Sequence, residues 1–366
     1  MTAQPPPGPP PGYGPPPGPP GGPPAGPPPG YGPPGYGPPR YGPPPQPWQR
    51  PPRPAHPHPE PRSYPLMLRT WEYAWWRPAV GILLLIVGGM LIVPLVLTPV
   101  LIIAVLVEGG DAPLMDRVME AATLGEVTPA SMLYLNLSLA SLTLVAMGIM
   151  RLLHNLRPRW LSSVQPRIRW KFLFVCFGLS VLALVASVLF GMLLPQDPND
   201  IGAEPNEMTG QLIAVGIVIL LTTPLQAIGE EYAFRGYLMQ AFGSLTRSRV
   251  AAVIATSLLF ALAHGAQNFP LFFDRFAFGL MAGLVVVIAG GLEAGIALHV
   301  LNNLVAFAFA IVFSDLQSAL TVSEVSWWQV PSTIVQNGVY LVLVLLVVRR
   351  MGLRNTTNPP VLEESH

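Results

Sequence analysis

The chain has 366 residues, 51% of them apolar and 11% charged, with 20 Lys and Arg against 19 Asp and Glu for a formal net charge of +1. So balanced a charge gives no electrostatic footprint for nucleic acid, and apolar runs near the ~20 residues that cross a bilayer exclude a pair of ordinary soluble domains. The single cysteine, Cys176, sits in an apolar run, so it makes no internal disulfide or cysteine zinc site and reads as a small apolar side chain.

Residues 1–65 are built from PPG, GYGPP and related units. Pro removes backbone donors, Gly raises the entropy lost on ordering, and almost no aliphatic side chain offsets that loss. The segment is predicted to be a disordered, partly polyproline II cytosolic tail. Glycine does not fall at every third place, so collagen does not fit. Tyr13, Tyr31, Tyr36 and Tyr41 are candidate contacts for a partner of this tail. The start lacks the basic patch and apolar core of a signal peptide, so the first membrane helix is expected to direct insertion.

An all-α bundle of about eight transmembrane helices is predicted, at roughly 79–107, 130–150, 172–195, 209–229, 250–268, 273–290, 294–313 and 332–348. Pro94 and Pro99 should kink the first run or end it early. This divides the chain into the tail (1–65), N-terminal membrane helices (66–208), a membrane domain (209–350) and a short cytosolic tail (351–366).

Charge sets the expected orientation, since Lys and Arg mark cytoplasmic loops. Arg62, Arg69 and Arg77 precede the first helix. The 151–171 loop carries Arg151, Arg157, Arg159, Arg167, Arg169 and Lys171 with no acid, and Arg349, Arg350 and Arg354 follow the last helix. The alternate loops are acidic, with Glu108, Asp111, Glu120 and Glu126 in one and Asp197, Asp200, Glu204 and Glu207 in the next. Only Arg117 and Arg275 fall on the outer side. Both termini are therefore expected in the cytoplasm. Trp71, Trp75, Trp76 and Trp170 at the inner interface, with Trp327 and Trp328 at the outer, fit aromatic belts.

Polar side chains within these helices are costly and so point to function. Helix four runs into QAIGEEYAFRGYL, placing Glu230, Glu231 and Arg235 against the bilayer; helix five ends in FALAH at His264; helix seven holds His299, Asn302 and Asn303. Glu231 and Arg235 are four apart and share a face, so they can pair. Glu230 is turned about 100° away and stays free to work. His299 and Asn303 can point at one pocket, and Phe260 can wall it beside His264. Gly279 and Gly283 form a G-x-x-x-G step that reads as close helix packing. His154 reads as a solvated loop residue. Counting from the cytoplasmic helix ends puts His264 deeper than His299.

A carboxylate with two imidazoles serves two mechanisms. Glu230 and a His can activate water as general base while His299 and Asn303 stabilise an oxyanion. Alternatively Glu230, His264 and His299 can hold a divalent metal such as zinc that acidifies its water. The spacing leaves both open.

Three motifs occur in order: Glu230-Glu231-Tyr-Ala-Phe-Arg235, Phe260-Ala-Leu-Ala-His264 and His299-Val-Leu-Asn-Asn303. Together they resemble the CPBP family of intramembrane proteases, which includes CAAX prenyl endopeptidases and bacterial proteins linked to bacteriocin processing or immunity. The resemblance covers about 209–313. It implies a helical bundle with a conical intramembrane cavity, Glu230 and His264 activating water, and His299 and Asn303 binding an oxyanion or a metal. Glu231, Arg235 and Phe260 are the supporting residues. The implied substrate is a peptide or membrane protein met within the lipid bilayer. The alternatives are a transporter or channel, which the missing inverted repeat disfavours, and a non-catalytic immunity or scaffold protein, which the intact motifs disfavour.

Overall fold

A computed structural model describes residues 57–195 and 205–358. Among these, helices dominate: α1 (Trp76–Val87), α2 (Val93–Glu108), α3 (Leu114–Thr123), α4 (Pro129–Ala140), α5 (Leu142–Leu152), α6 (Trp170–Gly191), α7 (Gly210–Glu231), α8 (Met239–Thr246), α9 (Arg249–Leu262), α10 (Phe269–Ala289), α11 (Glu293–Phe313), α12 (Leu316–Leu320) and α13 (Gln329–Arg350). Among the described residues, seven spans are long and apolar enough to cross a membrane, and the chain is a multi-pass membrane protein.

Local chemistry sets where the helices start and stop. Thr128, Thr209, Ser248 and Asn268 each accept a backbone N–H of the first turn they open, at α4, α7, α9 and α10. Gly290 closes α10 in the left-handed region, at φ 69°. The first span runs unbroken over Trp76–Glu108 in place of ending at its prolines. A π turn, Gly88–Ile92, ends two residues before Pro94.

Two spans differ from the expected bundle. The fourth does not stop at 229: α7, a π turn over Tyr232–Leu238 and α8 form one continuous helical run, Gly210–Thr246. The fifth is only 14 residues, Arg249–Leu262, about 21 Å of helix against a hydrocarbon core of about 30 Å. The Ala263–Asn268 connection extends it. Two short helices at the acidic end, α3 and α12, lay outside the predicted elements.

Glycines set the tightest contacts. A Cβ on Gly279 would lie 3.0 Å from Ser257 Cα, and one on Gly283 would lie 2.9 Å from Val253 Cγ1, so α9 and α10 touch through the predicted small-residue step. At Gly229 the α4–α5 junction comes nearest, through the Leu139 carbonyl and Ala140 Cα. Asn136 Nδ2 donates to Thr222 Oγ1 at 2.8 Å and Thr223 Oγ1 at 3.2 Å, tying α4 to α7 beside Pro224.

The basic end is more ordered than its charge suggested. Tyr64, Met67 and Leu68 are buried, Tyr64 Oη donates to the Leu161 carbonyl, and the Pro65 carbonyl lies against Gly243 of α8. Arg69 Nε and Tyr73 Oη both donate to the Ser244 carbonyl, at 2.9 and 3.0 Å. Thr357 N–H donates to the Arg62 carbonyl at 2.8 Å. The tail expected over 1–65 therefore stops short of 57, because 57–65 carries side chains that find apolar partners; its first 56 residues lie outside the described residues. His154 is likewise buried, with Nε2 3.0 Å from Tyr237 Oη, and is not a solvated loop residue. Burial, reinforced by the Arg77 charge, pushes its imidazole down to about 4. Cys176 is buried, as its setting implied.

Candidate active site

Helices α7 and α11 run antiparallel with their polar faces in register. Gln226 and Glu230 lie one turn apart on α7, His299 and Asn303 one turn apart on α11. Asn303 Nδ2 donates to Gln226 Oε1 at 3.0 Å, and His299 Nε2 stands 3.2 Å from Glu230 Oε2. Gly295, one turn before His299, lets the backbones close: a Cβ there would lie 2.6 Å from Glu231 Oε2.

Glu231 pairs with Arg235, Oε1 to Nη1 at 2.9 Å, and both are wholly buried. The same Oε1 also accepts from His299 Nδ1 at 2.9 Å. Glu231 is thus the common partner of the guanidinium and the imidazole. A neutral imidazole has one N–H, so only the doubly protonated His299 ring donates to both carboxylates. Two carboxylates, a guanidinium and an imidazolium then sum to zero charge, the condition under which such groups survive burial. Glu230 is the most exposed of these four residues, at 8%.

Aromatic rings join the third motif residue to this cluster. The Phe260 ring packs at 4.8 Å from His264 and 5.8 Å from His299, with the Arg235 guanidinium 4.1 Å above it. Phe278 adds a second edge contact to His299, at 5.1 Å. His264 is one turn beyond Phe260, and the Phe260 ring bridges the two imidazoles. His264 Nδ1 lies 2.7 Å from the Phe260 carbonyl. A carbonyl only accepts, so the proton is on Nδ1 and the neutral ring presents a bare Nε2.

A metal on Glu230, His264 and His299 does not fit this arrangement. Both His299 nitrogens face carboxylates, which leaves that ring no free lone pair, and among the described residues no three His, Cys, Asp or Glu side chains group to hold an ion.

Every motif residue is thus brought together. Gln226 and Phe278 escaped the sequence reading, although Gln226 is a lone amide in an apolar run, one turn before Glu230. Arg169, counted as a loop charge, is buried; its Nε and Nη2 bond Glu293 at 2.8 and 2.6 Å, at the first residue of α11. Asn302 takes a separate role, accepting from Gln336 Nε2 of α13 at 2.8 Å.

A carboxylate, two imidazoles and an amide inside a multi-pass helical bundle define a membrane protein with a polar intramembrane site. Residues 211–305 match the family described as type II CAAX prenyl endopeptidase Rce1-like. The chain is also similar to the uncharacterized protein YyaK of Bacillus subtilis (strain 168), 23% identical over 193 residues. That match covers 50% of this chain and 64% of YyaK, less than two thirds of its length. No solved structure matches the chain.

Proposed function

We propose that the protein is an intramembrane endopeptidase that hydrolyses a peptide bond of a membrane-associated peptide or protein, with Glu230 as general base. The observation that carries this is Glu230 itself: a carboxylate held by His299 and the most exposed member of a buried, charge-balanced cluster. His264 Nε2 accepts one O–H of a water and orients it. Glu230 takes the other proton as the water oxygen attacks the scissile carbonyl carbon. Once protonated, Glu230 accepts less well from His299 Nε2–H. That N–H and the second amide N–H of Asn303 are then free to donate to the new oxyanion. Glu230 passes its proton to the leaving nitrogen, the C–N bond breaks, and a carboxylic acid and an amine result. Glu231 and Arg235 touch no reacting atom; they hold the imidazolium in place.

The test is release of fluorescence from a quenched peptide library by purified protein in detergent. Wild type should cleave, with activity retained in chelator, and Glu230→Gln should lose roughly a hundredfold or more. Equal release by wild type and Glu230→Gln would sink the proposal.

A further inference from the structure

Arg275 lies in α10 and takes no part in the chemistry above. The other two arginines embedded in the bundle, Arg169 and Arg235, each hold a buried carboxylate at 2.6 and 2.9 Å. Arg275 has no such partner among the described residues. Its neighbour Asp274 is engaged by the Thr333 hydroxyl of α13 and acts on Arg275 through space, without a direct ion pair. The one hydrogen bond Arg275 makes, Nη1 to the His264 carbonyl at 3.5 Å, is at the limit of the range and leaves most of its N–H fork free. The side chain is half-buried, and His264, whose carbonyl it touches, lies open on the protein surface. Charges within spans are costly and line substrate paths, and a guanidinium fork matches a carboxylate in two parallel bonds.

We propose that Arg275 is a specificity-determining residue that binds a carboxylate of the substrate, within a few residues of the bond presented to Glu230 and His264. This rests on the peptidase reading. The carboxylate has two sources: the α-carboxylate of a substrate that ends near the cleaved bond, or an Asp or Glu side chain. Contact with the backbone of His264 favours a substrate group over a lipid phosphate.

Binding tests it independently of cleavage. Full-length protein in detergent is titrated into three fluorescent apolar peptides: one with a free carboxyl end and no acidic residue, one amidated with an internal Glu, and one amidated with no acid. One of the first two should bind about tenfold or more tighter than the third, and which one identifies the source. Arg275→Gln should remove the difference, and Arg275→Lys should restore part of it. Three equal affinities, or a preference that survives Arg275→Gln, would overturn the inference. So would Arg275→Gln lowering only the melting temperature in phosphatidylglycerol vesicles, which assigns the side chain to lipid. Binding preference without cleavage of any peptide counts against the peptidase reading alone.

Discussion

Glu230 and Glu231 are neighbours with different surroundings, and the difference predicts different variants. Glu231→Gln leaves Arg235 and the His299 imidazolium without their shared carboxylate; breaking a buried pair costs about 3–5 kcal/mol. This variant should lose yield and melting temperature as well as cleavage. Glu230→Gln keeps shape and should melt near wild type while cleavage falls. A stable but inactive Glu231→Gln would show the two roles reversed. The pairing of Glu231 with Arg235 was legible from their spacing of four. The bond from His299 to Glu231 was not, because it joins residues 68 apart and depends on the register of two helices. His154 supplies a pH test. Its folded-state value of about 4 lies below the ordinary 6.5, so the unfolded chain binds the proton first as pH falls. The stability this neutral imidazole contributes is complete above 6.5 and is lost as pH drops towards 4. The melting temperature should fall across that window, and less steeply in His154→Gln; identical slopes would contradict the assignment.

Among elements, α7 with its continuation explains both what the sequence conveyed and what it withheld. Hydropathy marked the apolar part to 229, then dipped where Glu230, Glu231 and Arg235 enter, and the dip read as a helix end. The helix continues because those charges neutralise one another and His299 inside the bundle. The π turn directly after Glu231 is a backbone device common at functional sites and has no simple side-chain signature. The short α9 was read as a full span because it was carried on to Asn268, although the connection AHGAQN is polar, Gly265 takes a φ of 81° and Asn268 already caps the next helix. Helix contact at Gly229 gives a further prediction. Gly229→Ala drives a methyl into the α4–α5 backbone, which yields less readily than a side chain, and should cost about 1–3 kcal/mol. Gly178→Ala, with nothing within 4 Å, should be neutral or mildly stabilising. Equal melting temperatures for the two variants would show that the contact does not hold the elements together.

For the whole molecule, charge asymmetry and aromatic belts predict that the 57–75 and 349–358 segments share the cytoplasmic side, where hydrogen bonds also join them. Reporters fused at residues 1 and 366 should both score as cytoplasmic; a periplasmic signal from either would contradict the arrangement. Removing 1–56 should leave the melting temperature unchanged. Removing 1–70 should lower it by several degrees, since it strips Tyr64, Met67 and Leu68 from their partners, at about 1.5–3 kcal/mol for a buried apolar side chain. Composition revealed the helical bundle and the Pro-rich segment. It could not reveal this docking, because a short run such as YPLML buries itself only against surfaces supplied by distant parts of the chain.

That docking also orders the events of synthesis. Residues 57–70 leave the ribosome before any membrane helix, yet the partners of this segment are Leu161, Ser244 and Thr357, the last of them 295 residues after Arg62. Its contacts with Leu161 and Ser244 can form only after those residues are made, and its contact with Thr357 closes last, when the residues after α13 emerge. Nascent chains arrested at 350 should therefore be cut by trypsin at Arg62, whereas released full-length protein should resist there. Equal protection in the two would show that the segment docks early.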